Sequence, residues 1–272
     1  MFKRDILKFG GCCSSAQFIL SDFKLNAWLG VNLGWGLALV FAVYAGANIS
    51  GSHLNPAVSF FLFTLGRLSA LRFAIYSLAQ IFGGFIGAAL TYLVYFDAFQ
   101  NLEGNRRTLA TAGVFATYPS SYLSMTGGVL DQIIGTAFLC VCVSVVTDKN
   151  NRIPSHLQPL LIGLIVALIG MSIGMNCGYA INPARDLGPR LFTLVAGWGW
   201  QTFSVNGYRW FWIPIVCPMF GALFGAWTYQ ICLGMKAVNC TLISALLYFS
   251  SVESAKRPLW KNYDQNKLKA LR

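Results

Sequence analysis

The chain has 272 residues, of which 56% are hydrophobic and only 11% charged, and it carries a net charge of +11. Soluble domains carry roughly 25% charged residues, so the deficit excludes an ordinary soluble protein and points to a polytopic helical membrane protein. The basic residues are scattered over short loops and the C-terminal tail, as topology-setting charges are, and do not form a nucleic-acid surface.

Residues 6–20 (ILKFGGCCSSAQFIL) are apolar but interrupted by Lys8, whose charge is costly at mid-membrane, so they make a partial span at best. Apolar spans follow at about 26–47, 71–96, 129–147, 158–176 and 209–233, each near the ~20 residues that cross the hydrocarbon core. Glycines such as Gly83, Gly84 and Gly87, or Gly221 and Gly225, let helices approach closely in lipid. Two shorter apolar pieces, at about 56–65 and 183–194, cannot span and read as re-entrant. Arg67, Arg72, Lys149, Arg152 and the basic tail place their segments on the cytoplasmic face, which puts the connections 97–128 and 197–208 outside. The stretch 238–250 is too short to span and reads as interfacial or protein-packed, with a disordered tail after it. Asn48-Ile49-Ser50 and Asn239-Cys240-Thr241 carry the glycosylation pattern at membrane depth and on the cytoplasmic side, so neither is expected to be modified.

The eight cysteines read as buried free thiols, and His53 and His156 are remote in sequence, so no metal site and no cofactor are expected. With nine acids and no nucleophile–base or paired-carboxylate constellation, an enzyme is not expected either.

The informative feature is a repeat. GSHLNPA (51–57) and GYAINPA (178–184) place Asn55-Pro56-Ala57 and Asn182-Pro183-Ala184 127 residues apart. Asn is a preferred N-cap, and Pro fits the first helical turn, where its missing N–H would be unpaired anyway. Each motif therefore starts a helix. At membrane depth a chain leaves helical structure only where it is buried or lines a wet cavity. Two such starts, one per half, imply an inverted repeat whose half-helices meet near the midplane, with Asn55 and Asn182 capping and aiming amide groups into a polar path. The facing positive helix ends disfavour cations and protons.

These motifs, with S-G-S-H-L before the first and R-D-L-G-P-R after the second, resemble the aquaporin family (major intrinsic proteins) over roughly residues 9–235. Asp186 and Arg190, Tyr118 in F-A-T-Y-P, and Pro214-Ile215 resemble the aquaglyceroporin branch. The resemblance implies an all-α inverted repeat of nominally six spans plus two half-helices, with repeats at about 1–115 and 116–235 and a basic cytoplasmic tail over 236–272. It implies a selectivity filter at Trp35, Gly170, Tyr179 and Arg185, in which Arg185 donates to polyol hydroxyls, Trp35 and Tyr179 wall the carbon edge and Gly170 widens the constriction. Singly, Trp35 reads as a packing residue, Tyr179 as a surface tyrosine and Arg185 as a topological charge; their joint spacing from the two asparagines unites them. His53 matches a position in the cytoplasmic vestibule, the alternative being a buried structural histidine. Asp131 reads as an interfacial acid, and Gln132 matches a residue that braces a half-helix loop.

The chain departs from that pattern at its start. F-G-G-C-C-S-S-A-Q (9–17) resembles only the end of a first span, the bracing acid is absent, and backbone groups near Asn55 are expected to lack their brace. The leading expectation is a passive channel for glycerol and water, with urea as a further solute, assembled as a homotetramer in the plasma membrane with no nucleic-acid partner. The alternative is a non-conducting isoform, retained in the endoplasmic reticulum or modulating full-length tetramers. A secondary transporter is disfavoured, since no coupling acid lies mid-span.

Overall fold

The computed structural model describes residues 2–46, 51–104 and 106–234, and of residues 2–6, 233 and 234 the backbone alone. The expected tail, the stretch 238–250, and the patterns at Asn48 and Asn239 lie outside the described residues. Two compact units are distinguished, Met1–Trp227 and Thr228–Arg272, and the candidate site lies in the first.

Among the described residues every regular element is helical: α1 (Phe2–Leu20), α2 (Trp28–Tyr44), α3 (Pro56–Thr64), α4 (Ala70–Val94), α5 (Phe96–Glu103), α6 (Leu109–Ala112), α7 (Met125–Thr147), α8 (Gln158–Ile173), α9 (Pro183–Thr193) and α10 (Ile213–Tyr229). The segments 70–94, 125–147 and 213–232 are long and apolar enough to cross a membrane, and α2 and α8 are apolar but shorter. The 19 residues of α1 reach about 28 Å. Its first two turns carry Lys3, Arg4, Asp5 and Lys8, so its sequence rather than its length makes it an incomplete span. Caps set the boundaries: the Ser69 side chain accepts from Arg72 N at the start of α4, and Ser124 accepts from Gly127 N at the start of α7. The half-helices α3 and α9 have only 9 and 11 residues.

Polarity is distributed for lipid. Leu71, Leu78, Leu93, Ile134 and Phe224 are exposed, while Asn32, Gln80, Gln132, Thr136 and Asp186 are buried. With no solvent water at that depth, polar groups must find each other inside. Helix α1 packs on α2 and α4, α2 on α8, and α4 on the half-helix α9. Glycine makes the close crossings. A Cβ on Gly36 would lie 2.8 Å from Gly163 O, and one on Gly188 would lie 3.0 Å from Gly84 Cα. Phe99, Phe115, Trp198 and Tyr92 pack with Phe192 of α9 as one aromatic cluster.

Candidate functional site

The two loops leading into the half-helices have the same backbone. Gly51, Ser52 and Leu54 have positive φ (68°, 45° and 52°), as do Gly178, Tyr179 and Ile181 (76°, 40° and 40°). In each loop these are the fourth, third and first residues before the asparagine. Left-handed backbone costs a non-glycine residue roughly 1–2 kcal/mol, so each loop holds strain that its surroundings must overcome.

They overcome it through a reciprocal clasp. Asn55 Oδ1 accepts from Ala57 N at 2.8 Å, capping α3, while its Nδ2 donates to Ile181 O of the other loop at 2.8 Å. Asn182 Oδ1 accepts from Ala184 N and Arg185 N, both at 3.1 Å, capping α9, while its Nδ2 donates to Leu54 O at 2.9 Å. The helix starts at Pro56 and Pro183 are thus tied together. One N–H of each amide is spent on the opposite loop, so at most one remains for a solute, fewer than the sequence suggests.

The four residues expected to form a filter fall into two contacting pairs. The Arg185 guanidinium carbon lies 4.2 Å from the Trp35 ring centroid, and its Nη1 donates to Phe115 O at 3.1 Å. A Cβ on Gly170 would press on Asn32 Oδ1 and lie 2.6 Å from Tyr179 Cζ, so only glycine lets Tyr179 sit where it does. Helix α2 touches both pairs, the first through Trp35 and the second through Asn32 one turn earlier. The Trp35 indole N–H donates to Ser15 Oγ of α1 at 3.0 Å, which fixes the ring and leaves its surface as an apolar wall.

Asp186 and Arg190 form a fully buried ion pair, Nε to Oδ1 2.7 Å and Nη2 to Oδ2 3.0 Å. Asp186 Oδ2 also accepts from Thr117 N and Thr117 Oγ1, and Arg190 donates to Thr117 O and Thr202 O. The pair pins the loop 115–118 against α9, and that loop supplies the carbonyl that holds Arg185. Tyr118 lies with its ring 4.7 Å from the Arg190 guanidinium. Burial pushes its phenol above the ordinary value, and Arg190 acts in the opposite sense. Pro214 and Ile215 sit in the first turn of α10, where a proline costs no hydrogen bond.

The loop braces differ between the halves. Gln132 Oε1 accepts from Ile181 N at 2.9 Å. Asp131, expected at an interface, is buried instead; its oxygens accept from Gln132 Nε2 and Asn176 Nδ2, because the loop before the second motif folds back onto α7. In the first half, the carbonyl of Asn55 accepts from Ser59 Oγ, which itself accepts from Gln80 Nε2, and Ser52 Oγ donates to Val43 O. The expectation of an unbraced first loop is corrected to this extent: α2, α3 and α4 hold it. His53 Nδ1 lies 3.2 Å from Ser59 Oγ and its ring packs edge-on to Tyr76, so it joins that brace. Gln132→Leu is expected to cost about 1–3 kcal/mol by stranding the Ile181 N–H. Unfolding of the detergent-solubilised protein measures this, and a loss below ~0.5 kcal/mol would deny the brace.

Sequence reasoning missed Phe115, Thr117, Asn32 and Ser15. F-A-T-Y-P drew attention only to Tyr118, although the adjacent backbone carries the contacts. Among the described residues, no cluster of acids, histidines or cysteines could hold a metal.

A family model described as Major intrinsic protein matches residues 6–229. The chain is 43% identical over 221 residues to Aquaporin-10 of Homo sapiens, covering 79% of this chain and 73% of that one. It is 41% identical over 234 residues to Aquaporin-9 of Mus musculus, covering 84% and 79%. Its structure is similar to that of the aquaglyceroporin from Plasmodium falciparum, with TM-score 0.77 and 28% identity, over 87% of this chain and 97% of the other.

Proposed function

This chain belongs to the major intrinsic protein family, one of membrane channels and not of enzymes, and from that premise we propose that it is a passive channel for glycerol and water, with urea as a further small solute. The observation that carries the reading is the clasp of two half-helices start to start, with Arg185 of one lying against Trp35. Two positive helix ends and the Arg185 charge repel cations and break proton relay. The guanidinium hydrogens not used on Phe115 donate to hydroxyls along one edge of a polyol. Trp35 and Tyr179 face its carbon edge, and Gly170 leaves the width that a side chain would remove. The pore domain is assigned to 1–235, the tail to 236–272, the assembly to a homotetramer and the location to the plasma membrane.

Stopped-flow light scattering of proteoliposomes tests this directly. Fast glycerol-dependent reswelling is the expected result, and permeability equal to empty vesicles would overturn it. Gly170→His is expected to cut glycerol flux by more than about tenfold, the effect of ~1.4 kcal/mol of added barrier, and water flux by less. Equal loss of both would mean misfolding rather than a narrowed filter.

One observation favours the second reading, a non-conducting chain that is retained or that modulates the tetramers of conducting relatives. Helix α1 begins with charged turns, and it buries Lys8. Lowered flux of a co-expressed conducting relative supports that reading, and unaltered flux removes it.

A further inference from the structure

Lys8 is only 2% exposed, and among the described residues its ammonium has no hydrogen-bond partner. It lies 5.3 Å from the centroid of the Trp35 ring, the same side chain whose ring is 4.2 Å from the Arg185 guanidinium carbon. The two cationic groups therefore share the Trp35 ring as a neighbour and lie within about one Debye length, ~10 Å, of each other. Asp186, in the first turn of α9, is fully engaged by Arg190 and Thr117. Among the described residues neither Lys8 nor Arg185 has a carboxylate partner, and the first turn of α9 adds further positive potential. Two uncompensated charges in a low-dielectric interior are costly, and buried charges are as a rule paired.

We propose that a small monovalent anion of chloride size binds between Lys8 and Arg185, and that its occupancy lowers the flux of neutral solutes. The proposal rests on the reading of this constriction as the solute path. The anion and a polyol hydroxyl compete for the same Arg185 hydrogens, because the remaining Nη1 hydrogen bond is committed to Phe115. Lys8 supplies the second, localised charge that a guanidinium alone does not.

Two measurements test it. Chloride-35 line width on the detergent-solubilised full chain reports binding without any flux, and glycerol reswelling in chloride against gluconate, which is too large for the site, reports the consequence. The wild type is expected to broaden the chloride line and to pass glycerol about threefold more slowly in chloride, the occupancy reached at roughly twice the dissociation constant. Lys8→Arg keeps both effects. Lys8→Met loses the broadening and passes glycerol at one rate in both salts; Lys8→Gln takes its place if the methionine variant does not fold. Equal line widths for wild type and folded Lys8→Met overturn the proposal, because Lys8 is then buried neutral. Lys8-dependent broadening in a chain that passes no glycerol in either salt leaves the anion site standing and removes the channel reading alone.

Discussion

Asp186→Asn lowers stability by about 3–5 kcal/mol, the cost of stripping one partner from a buried ion pair. Both side chains of the pair are fully buried, so no water solvates the Arg190 guanidinium left behind. The asparagine retains shape and one acceptor oxygen but not the charge, and its amide nitrogen faces donors that the carboxylate accepted, Thr117 N among them. The unfolding midpoint of the detergent-solubilised chain measures the loss. Asp186→Leu with Arg190→Met, which removes both charges at similar volume, recovers most of it. A single variant within about 1 kcal/mol of wild type would show that the pair is dispensable. The loss also reaches the filter. The loop 115–118 is freed, Phe115 O drifts from Arg185, and glycerol selectivity declines in whatever fraction stays folded.

Arg185→Ala opens the constriction to cations. A unit charge at 4 Å and an effective dielectric near 20 opposes a passing cation by about 4 kcal/mol. Removing it raises leak of a small cation such as methylammonium by up to about a thousandfold, with a smaller gain for polyols longer than glycerol. Trp35 then loses the partner 4.2 Å from its ring, while Ser15 still holds its indole N–H, so the wall survives and the charge does not. Methylammonium uptake and erythritol reswelling in proteoliposomes measure the two effects. Unchanged selectivity would remove Arg185 from the filter.

What the sequence made legible was local chemistry. Asn followed by Pro specifies a helix start wherever it stands, so Asn55 and Asn182 and the short helices after them could be placed from seven letters each. Asp186 and Arg190 were singled out only as branch markers; that they pair is seen in the structure, and their burial and hold on Thr117 depend on a loop about seventy residues earlier in the chain. The start of α7 was set four residues late, because Met125-Thr126-Gly127-Gly128 is poor helix sequence and only the Ser124 cap begins it. Positive φ at Leu54 and Ile181 ran against every local rule for branched residues, since only the opposite loop makes that backbone worth holding. Lys8 was the clearest reversal. Burial among apolar residues is what its charge argues against, and the helix nonetheless turns it inward.

The reciprocal clasp also dictates an order of events during synthesis. The bonds from Asn55 to Ile181 and from Asn182 to Leu54 span 126 and 128 residues of chain. At about 5–20 residues per second, the first loop leaves the ribosome many seconds before its partner exists. Through that interval the Asn55 amide and the Leu54 carbonyl lack their partners from the second half, and the first loop is held only by α2, α3 and α4. The first repeat is therefore incompletely set until the second is made. The two loops set in a single late step, when the second arrives and both asparagines close at once.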